Sequence, residues 1–131
     1  MIEQTILSSM IYNESYVRKV LPFLKDEYFE DQNEKFLYNT IKSYIDEYNG
    51  LPTKTAIQIA IDEANTLNEE RYKQVIDTLD KMVYDPKTDI DWLVNTTEKF
   101  CQDKAIYNAV RQSILVLDGK VKDLDKGSIP Q

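Results

Sequence analysis

The sequence predicts an all-α fold: a small helical globule of about six helices, with a long C-terminal helix forming part of a helical hairpin. Three observations carry this. Apolar residues recur at three- and four-residue spacing, as in Phe36, Leu37, Ile41, Tyr44, Ile45 and Tyr48. Residues that cap helices (Asn13, Asp31, Thr53, Asn68, Asp89) and prolines (Pro22, Pro52, Pro86) divide those periodic segments. No stretch alternates with the period of two that a half-buried strand requires.

The first helix spans Ile2 to Ile11, with Ile2, Ile6, Leu7 and Met10 on one face and small, polar Ser8 and Ser9 on the other. Asn13 can cap a short second helix by accepting from its first free amides, and Tyr16, Val17, Val20 and Leu21 mark the buried side. Pro22 bends the chain. Phe23, Leu24, Tyr28 and Phe29 then make an apolar knot around Asp26 and Glu27. Asp31 opens a third helix, and Glu34 completes a capping-box-like pair with it. Asn49-Gly50 ends that helix, with Gly50 expected in the left-handed conformation, and Pro52 reinforces the stop. Thr53 caps a fourth helix, with Ala56, Ile57, Ala60, Ile61 and Ala64 inside. After a turn, Thr66 or Asn68 caps a fifth, which carries Tyr72, Val75, Ile76, Leu79, Met82 and Val83. Asp85-Pro86 breaks it, and Asp89 caps the longest helix.

That helix is expected from Ile90 to Asp118. Leu93, Phe100, Tyr107, Ile114 and Val121 follow at seven-residue intervals, and Val110, Leu117 and Leu124 sit three residues after the last three. Seven residues is close to two turns, so these side chains form one seam. Trp92 and Ile106 widen the first half of it, as a packed core requires. The second half narrows to two positions, the pattern made for another helix. Its partner is either a helix outside this globule or the chain's own earlier helices. Tyr107, Val110, Ile114, Leu117 and Val121 are thus the candidate oligomer interface. Gly119 is expected to end or fray the helix, and Lys120–Gly127 reads as a loop. Ser128 with Pro130 looks like the start of a further helix, as if the chain were cut before a second hairpin helix. Residues 1–88 therefore read as a helical globular domain, and 89–131 as the long helix and the start of a hairpin, within one structural unit. The expected core includes Phe36, Ile41, Tyr44, Ile76, Leu79, Trp92 and Phe100.

Composition excludes several classes of function. The chain has 131 residues and a formal charge of −7, from 16 basic and 23 acidic side chains. Phosphate binding needs clustered Lys and Arg, and here the basic residues are interleaved with acids. Direct nucleic-acid binding is disfavoured. There is no His and one Cys, which leaves no zinc site and removes the commonest general base. Cys101 lacks a His partner and reads as a small buried side chain, and the lone thiol agrees with a reducing setting. Gly50, Gly119 and Gly127 are too scattered for a phosphate-cradling loop. The acidic groups at Asp26/Glu27/Glu30/Asp31 and Asp62/Glu63 are caps and solvated faces more simply than metal ligands or an acid–base pair. Most of the nine tyrosines fall on apolar faces, as core residues would, not as a base-stacking platform. No apolar run is long enough for a membrane span. No catalytic, cofactor-binding or metal-binding residue emerges; contact with other chains is the function that remains.

The order of residues adds a resemblance. Glu3-Gln4-Thr5-Ile6-Leu7-Ser8-Ser9-Met10, followed by Val20-Leu21-Pro22-Phe23-Leu24-Lys25-Asp26-Glu27-Tyr28-Phe29, resembles the N-terminal domain of DnaB-family replicative DNA helicases. Phe36, Tyr38, Ile41 and Tyr44 fall in the place of that family's next helix. Trp92-Leu93-Val94, Thr97-Glu98-Lys99-Phe100, Ala105, Tyr107-Asn108-Ala109 and Ile114 look closer still to the replicative helicases of T-even-like phages. Bacterial members usually carry Gly at the place of Ser8 and a His near Asn33–Glu34; these departures weaken a bacterial assignment and leave the phage one intact.

The resemblance implies a collar domain of a hexameric helicase in a phage replisome, in the host cytoplasm. Its hairpins would pair between subunits, and its surface would meet primase. It implies a homo-oligomer, a hexamer in the parent chain; in this piece, the uncovered seam itself is what would pair two copies as a dimer. The parent would unwind DNA 5′→3′ by hydrolysing ATP or GTP with Mg. It would touch single-stranded DNA only through an ATPase domain absent from this sequence, so this piece would be neither an enzyme nor a cofactor binder. Two other readings fit the same pattern: the helicase-binding domain of a primase, and a stand-alone helical adaptor or loader. A catalytic domain before Met1 would mark the first. A reading frame that stops at Gln131 would mark the second.

Overall fold

The computed structural model describes residues 1–127. Its helices are α1 (Ile2–Tyr12), α2 (Glu14–Val20), α3 (Gln32–Tyr48), α4 (Lys54–Ala64), α5 (Glu69–Lys81) and α6 (Ile90–Gly127), with a single 3₁₀ turn at Asp26–Tyr28 between α2 and α3. The fold is all-α, as the periodicity predicts.

Capping side chains set the start of each helix after the first. Asn13 accepts from the Tyr16 amide at 2.9 Å. Asp31 accepts from Asn33 and Glu34, at 2.8 and 3.0 Å. Thr53 serves Ala56, Asn68 serves Arg71, and Asp89 serves Trp92. Each of these bonds satisfies an amide that the helix itself leaves free. At the other end of α3, Asn49 takes the left-handed conformation, φ 55°, and Gly50 does not. Asn65 does the same after α4, at φ 48°. Asn tolerates this region because its short polar side chain bonds locally, so the expectation for Gly50 is off by one residue.

Around α1 the core forms. Ile6, Leu7 and Met10 are fully buried, and α2 and α3 both pack on this helix. Ser8 and Ser9 are also buried, which corrects their placement on an outer face. All six side chains from residue 6 to residue 11 are buried, so the small serines sit inside the packing, not on a solvent face. α3 runs through the middle, burying Leu37, Tyr38 and Ile41, with α5 against it through Val75 and Leu79. α4 closes the side with Ile57 and Ile61.

Of the expected core residues, Ile41 and Leu79 are fully buried, and Phe36, Ile76 and Phe100 pack partly buried at its margin. Tyr44 is half-buried, its ring 4.8 Å from that of Tyr48. Trp92 is exposed and does not belong. It lies on the other side of the helix from the core-facing stripe, where Leu93 is buried and Ile90 and Val94 pack partly buried beside it.

Two buried titratable groups give testable chemistry. Cys101 is enclosed, and burial, aided by the Glu98 charge, pushes its thiol up to about 11. Only thiolate reacts readily. Labelling by Ellman's reagent at neutral pH is expected to be slow in the folded chain and fast in denaturant; equal rates would contradict this burial. Glu34 is buried in the first turn of α3. Burial first, then the Asp31 and Glu3 charges, raise its carboxyl above the usual range, against the Met1 ammonium. The folded chain then holds this proton more tightly than the unfolded one, so its stabilising effect is present at low pH and lost as pH rises through the folded value. Glu34→Gln is expected to raise the melting temperature at pH 7, with the gain vanishing below about pH 4, near the unfolded carboxyl value. A Gln variant that melts lower at pH 7 would show that the charge serves the helix end instead.

Candidate helix-pairing surface

α6 is 38 residues long, about 57 Å at 1.5 Å per residue. Its first part belongs to the globule, where it packs on α2 and on the Asp26–Tyr28 turn. Leu93, Thr97 and Cys101 form the inward stripe, four residues apart. Thr97 is fully buried, and its hydroxyl lies 2.7 Å from the Tyr16 hydroxyl on α2. In the low dielectric there this bond satisfies two groups at once. Phe100 packs at the margin with its ring 6.3 Å from Phe29.

Two polar links mark where the helix leaves the globule. Lys104 Nζ binds Glu30 Oε1 at 2.8 Å, which holds the Glu30 carboxyl below the usual range. One turn on, Asn108 Nδ2 donates to the Glu27 carbonyl at 3.3 Å. The ammonium of Lys104 also lies 5.6 Å from the Tyr107 ring centre. This geometry orients the helix as it departs; with an exposed carboxylate, the ion pair itself contributes little.

Beyond Asn108 every side chain described is exposed. Tyr107, Val110, Ile114, Leu117 and Val121, the five residues expected at an oligomer interface, are all 53–60% exposed. The structure brings them together on one face, over roughly 21 Å of helix, and packs none of them on the chain's own earlier helices. Ile106 is exposed as well, so it does not widen a core as expected. Leu115 and Val116 are exposed beside the seam, which makes residues 114–117 apolar around a full turn. The sequence pattern singled out the seam alone and passed over this band.

The helix does not end at Gly119. It continues through Lys120–Gly127, where a loop is expected. Helix-interior Gly costs about 1 kcal/mol relative to Ala, which weakens a helix without breaking it, and nothing crowds Gly119. Val121 thereby joins the seam on a continuous helix. The Leu124 side chain and the helix start expected at Ser128 lie outside the described residues.

Other chemistry is sparse. Among the described residues no group of three or more His, Cys, Asp or Glu is arranged to hold a metal ion. No helix there is long and apolar enough to cross a membrane. Gly50 follows α3, and Gly119 and Gly127 lie within α6.

No protein-family model matches the sequence. The chain is 35% identical over 111 residues to the DnaB-like replicative helicase of Enterobacteria phage T4. That match covers 85% of this chain and 23% of the helicase, so the chain spans about a quarter of the relative's length. The chain is therefore homologous to a DnaB-like replicative helicase, the family that the order of its residues resembles.

Proposed function

We propose that this chain is the N-terminal collar domain of a phage replicative hexameric DNA helicase. It holds subunits together through the distal part of α6 and presents a surface to primase. The observation that carries this is the seam of Tyr107, Val110, Ile114, Leu117 and Val121, exposed on a helix that extends past its own globule. Contiguous apolar area of this kind on a soluble domain marks a contact with another chain. The homology to a replicative helicase, over a quarter of that protein, supports the placement in a larger parent. The parent would hydrolyse ATP or GTP with Mg to move 5′→3′ on single-stranded DNA in the host cytoplasm. Nucleotide, metal and DNA would all be held by residues outside this chain.

Self-association tests the reading directly. Light scattering over a concentration series is expected to show a reversible oligomer of the 131-residue chain, a two-fold dimer in the simplest case, since one stripe can then serve both copies. A strictly monomeric chain at high concentration would overturn it. The chain alone is expected to show no nucleotide hydrolysis and no submicromolar binding to single-stranded DNA at physiological salt, given its net charge of −7; either activity would contradict the assignment of those roles to another part of the parent.

A further inference from the structure

A second surface lies between α3 and α4. These helices enclose an open cleft of about 610 Å³ that the core does not use. Tyr44, Glu47 and Tyr48 line it from α3, and Ala60, Glu63 and Ala64 from α4. The alanines leave room for a side chain to lie along the groove. The two tyrosines sit with ring centres 4.8 Å apart, tilted by 50°, and Tyr48 is 63% exposed.

Charge decides what this groove accepts. Its lining contains two glutamates and no Lys or Arg. α3 and α4 also both end here without a basic residue in their last turns. A helix C-terminus has the negative end of the macrodipole and is ordinarily matched by a cation. Aromatic faces attract cations too, guanidinium most of all, because it stacks flat while its edge donates to carboxylates. Two carboxylates, paired tyrosine rings and an unmatched helix end thus converge on one slot.

We propose that the α3–α4 groove is a docking site for an arginine-bearing segment of a partner protein, with the guanidinium on the Tyr44–Tyr48 rings and its donors on Glu47 and Glu63. Nucleic acid is repelled by the same charges. The site is separate from the α6 seam and stands whether or not that seam pairs subunits.

Random dodecapeptides displayed on phage, selected on the 131-residue chain, test this. The selection is expected to enrich peptides with Arg beside an apolar residue. A selected peptide, made synthetically, should bind Glu63→Gln and Tyr48→Ser chains about tenfold more weakly, the loss of one hydrogen bond or contact to a charged group. Tyr48→Phe, which keeps the ring, should retain binding, and so should Ile114→Asp. Unchanged melting temperatures for these surface variants would exclude misfolding. Peptides without basic residues, or affinity unmoved by Glu63→Gln and Tyr48→Ser, would overturn the proposal. So would single-stranded DNA in the groove, or a self-association that Glu63→Lys abolishes, which would make a second copy the occupant.

Discussion

Phe29→Ala is expected to destabilise the domain by about 3–5 kcal/mol, the usual cost of truncating an enclosed aromatic. The ring is fully buried where the Asp26–Tyr28 turn ends. It stacks on Tyr38 of α3, with centres 5.0 Å apart and planes 26° apart, and meets Phe100 of α6 at 6.3 Å. Removing it leaves a cavity at the junction of three elements, which cannot collapse without moving the root of α6. Against a total stability of about 5–15 kcal/mol for a domain of this kind, the loss is about a fifth or more. The melting temperature should fall by on the order of 10–20 °C. Trp92→Ala is the comparison: that side chain is 57% exposed and its loss is expected to stay within about 0.5 kcal/mol. A thermal melt of both variants checks the pair, and equal shifts would mean that the core is drawn wrongly.

The contrast between Phe29 and Trp92 shows what a sequence can say about this fold. Caps were legible because they are local: Asn13, Asp31, Thr53, Asn68 and Asp89 each bond an amide two or three residues on. The seam of α6 was legible because it is periodic. Trp92 lies outside the core because hydrophobicity alone does not say which side of a helix meets a neighbour; the inward stripe is Leu93, Thr97 and Cys101, and two of those three are not strongly apolar. Thr97 is inside because the Tyr16 hydroxyl comes from another helix to meet it, a pairing across the chain that no local window contains. Ser8 and Ser9 mislead for the same reason, since their burial depends on α2 and α3 closing over α1. Gly119 does not stop the helix because one unfavourable residue costs about 1 kcal/mol, which the helical residues on both sides of it offset. The α3–α4 groove needed the fold outright, because Glu47 and Glu63 share a cleft only once two helices lie side by side.

Ile114→Asp is expected to abolish self-association while leaving the domain folded. Ile114 lies at the centre of the exposed seam, flanked by Val110 and Leu117 one turn to either side, and is 53% exposed in the single chain. Nothing in the globule touches it, so the substitution removes no core contact and the melting temperature of the monomer should hold. In a two-fold pair each chain would bring one carboxylate into an apolar interface. An unsatisfied buried polar group costs roughly 1–3 kcal/mol by mutational measures, more when charged. Two such groups cost about 4 kcal/mol together, which weakens dimerisation roughly a thousandfold. Gln112→Asp supplies the control. It adds the same charge to the same stretch of helix, but on the face away from the seam, where Gln112 lines an open cleft with Lys25 and Glu27. Sedimentation velocity at matched concentrations separates the outcomes: wild type and Gln112→Asp should associate alike, and Ile114→Asp should run as a monomer with unaltered helix content. If both variants dissociate, net charge and not the seam governs association. If Ile114→Asp unfolds, the distal helix is part of the core after all, and the pairing surface must lie elsewhere on the chain.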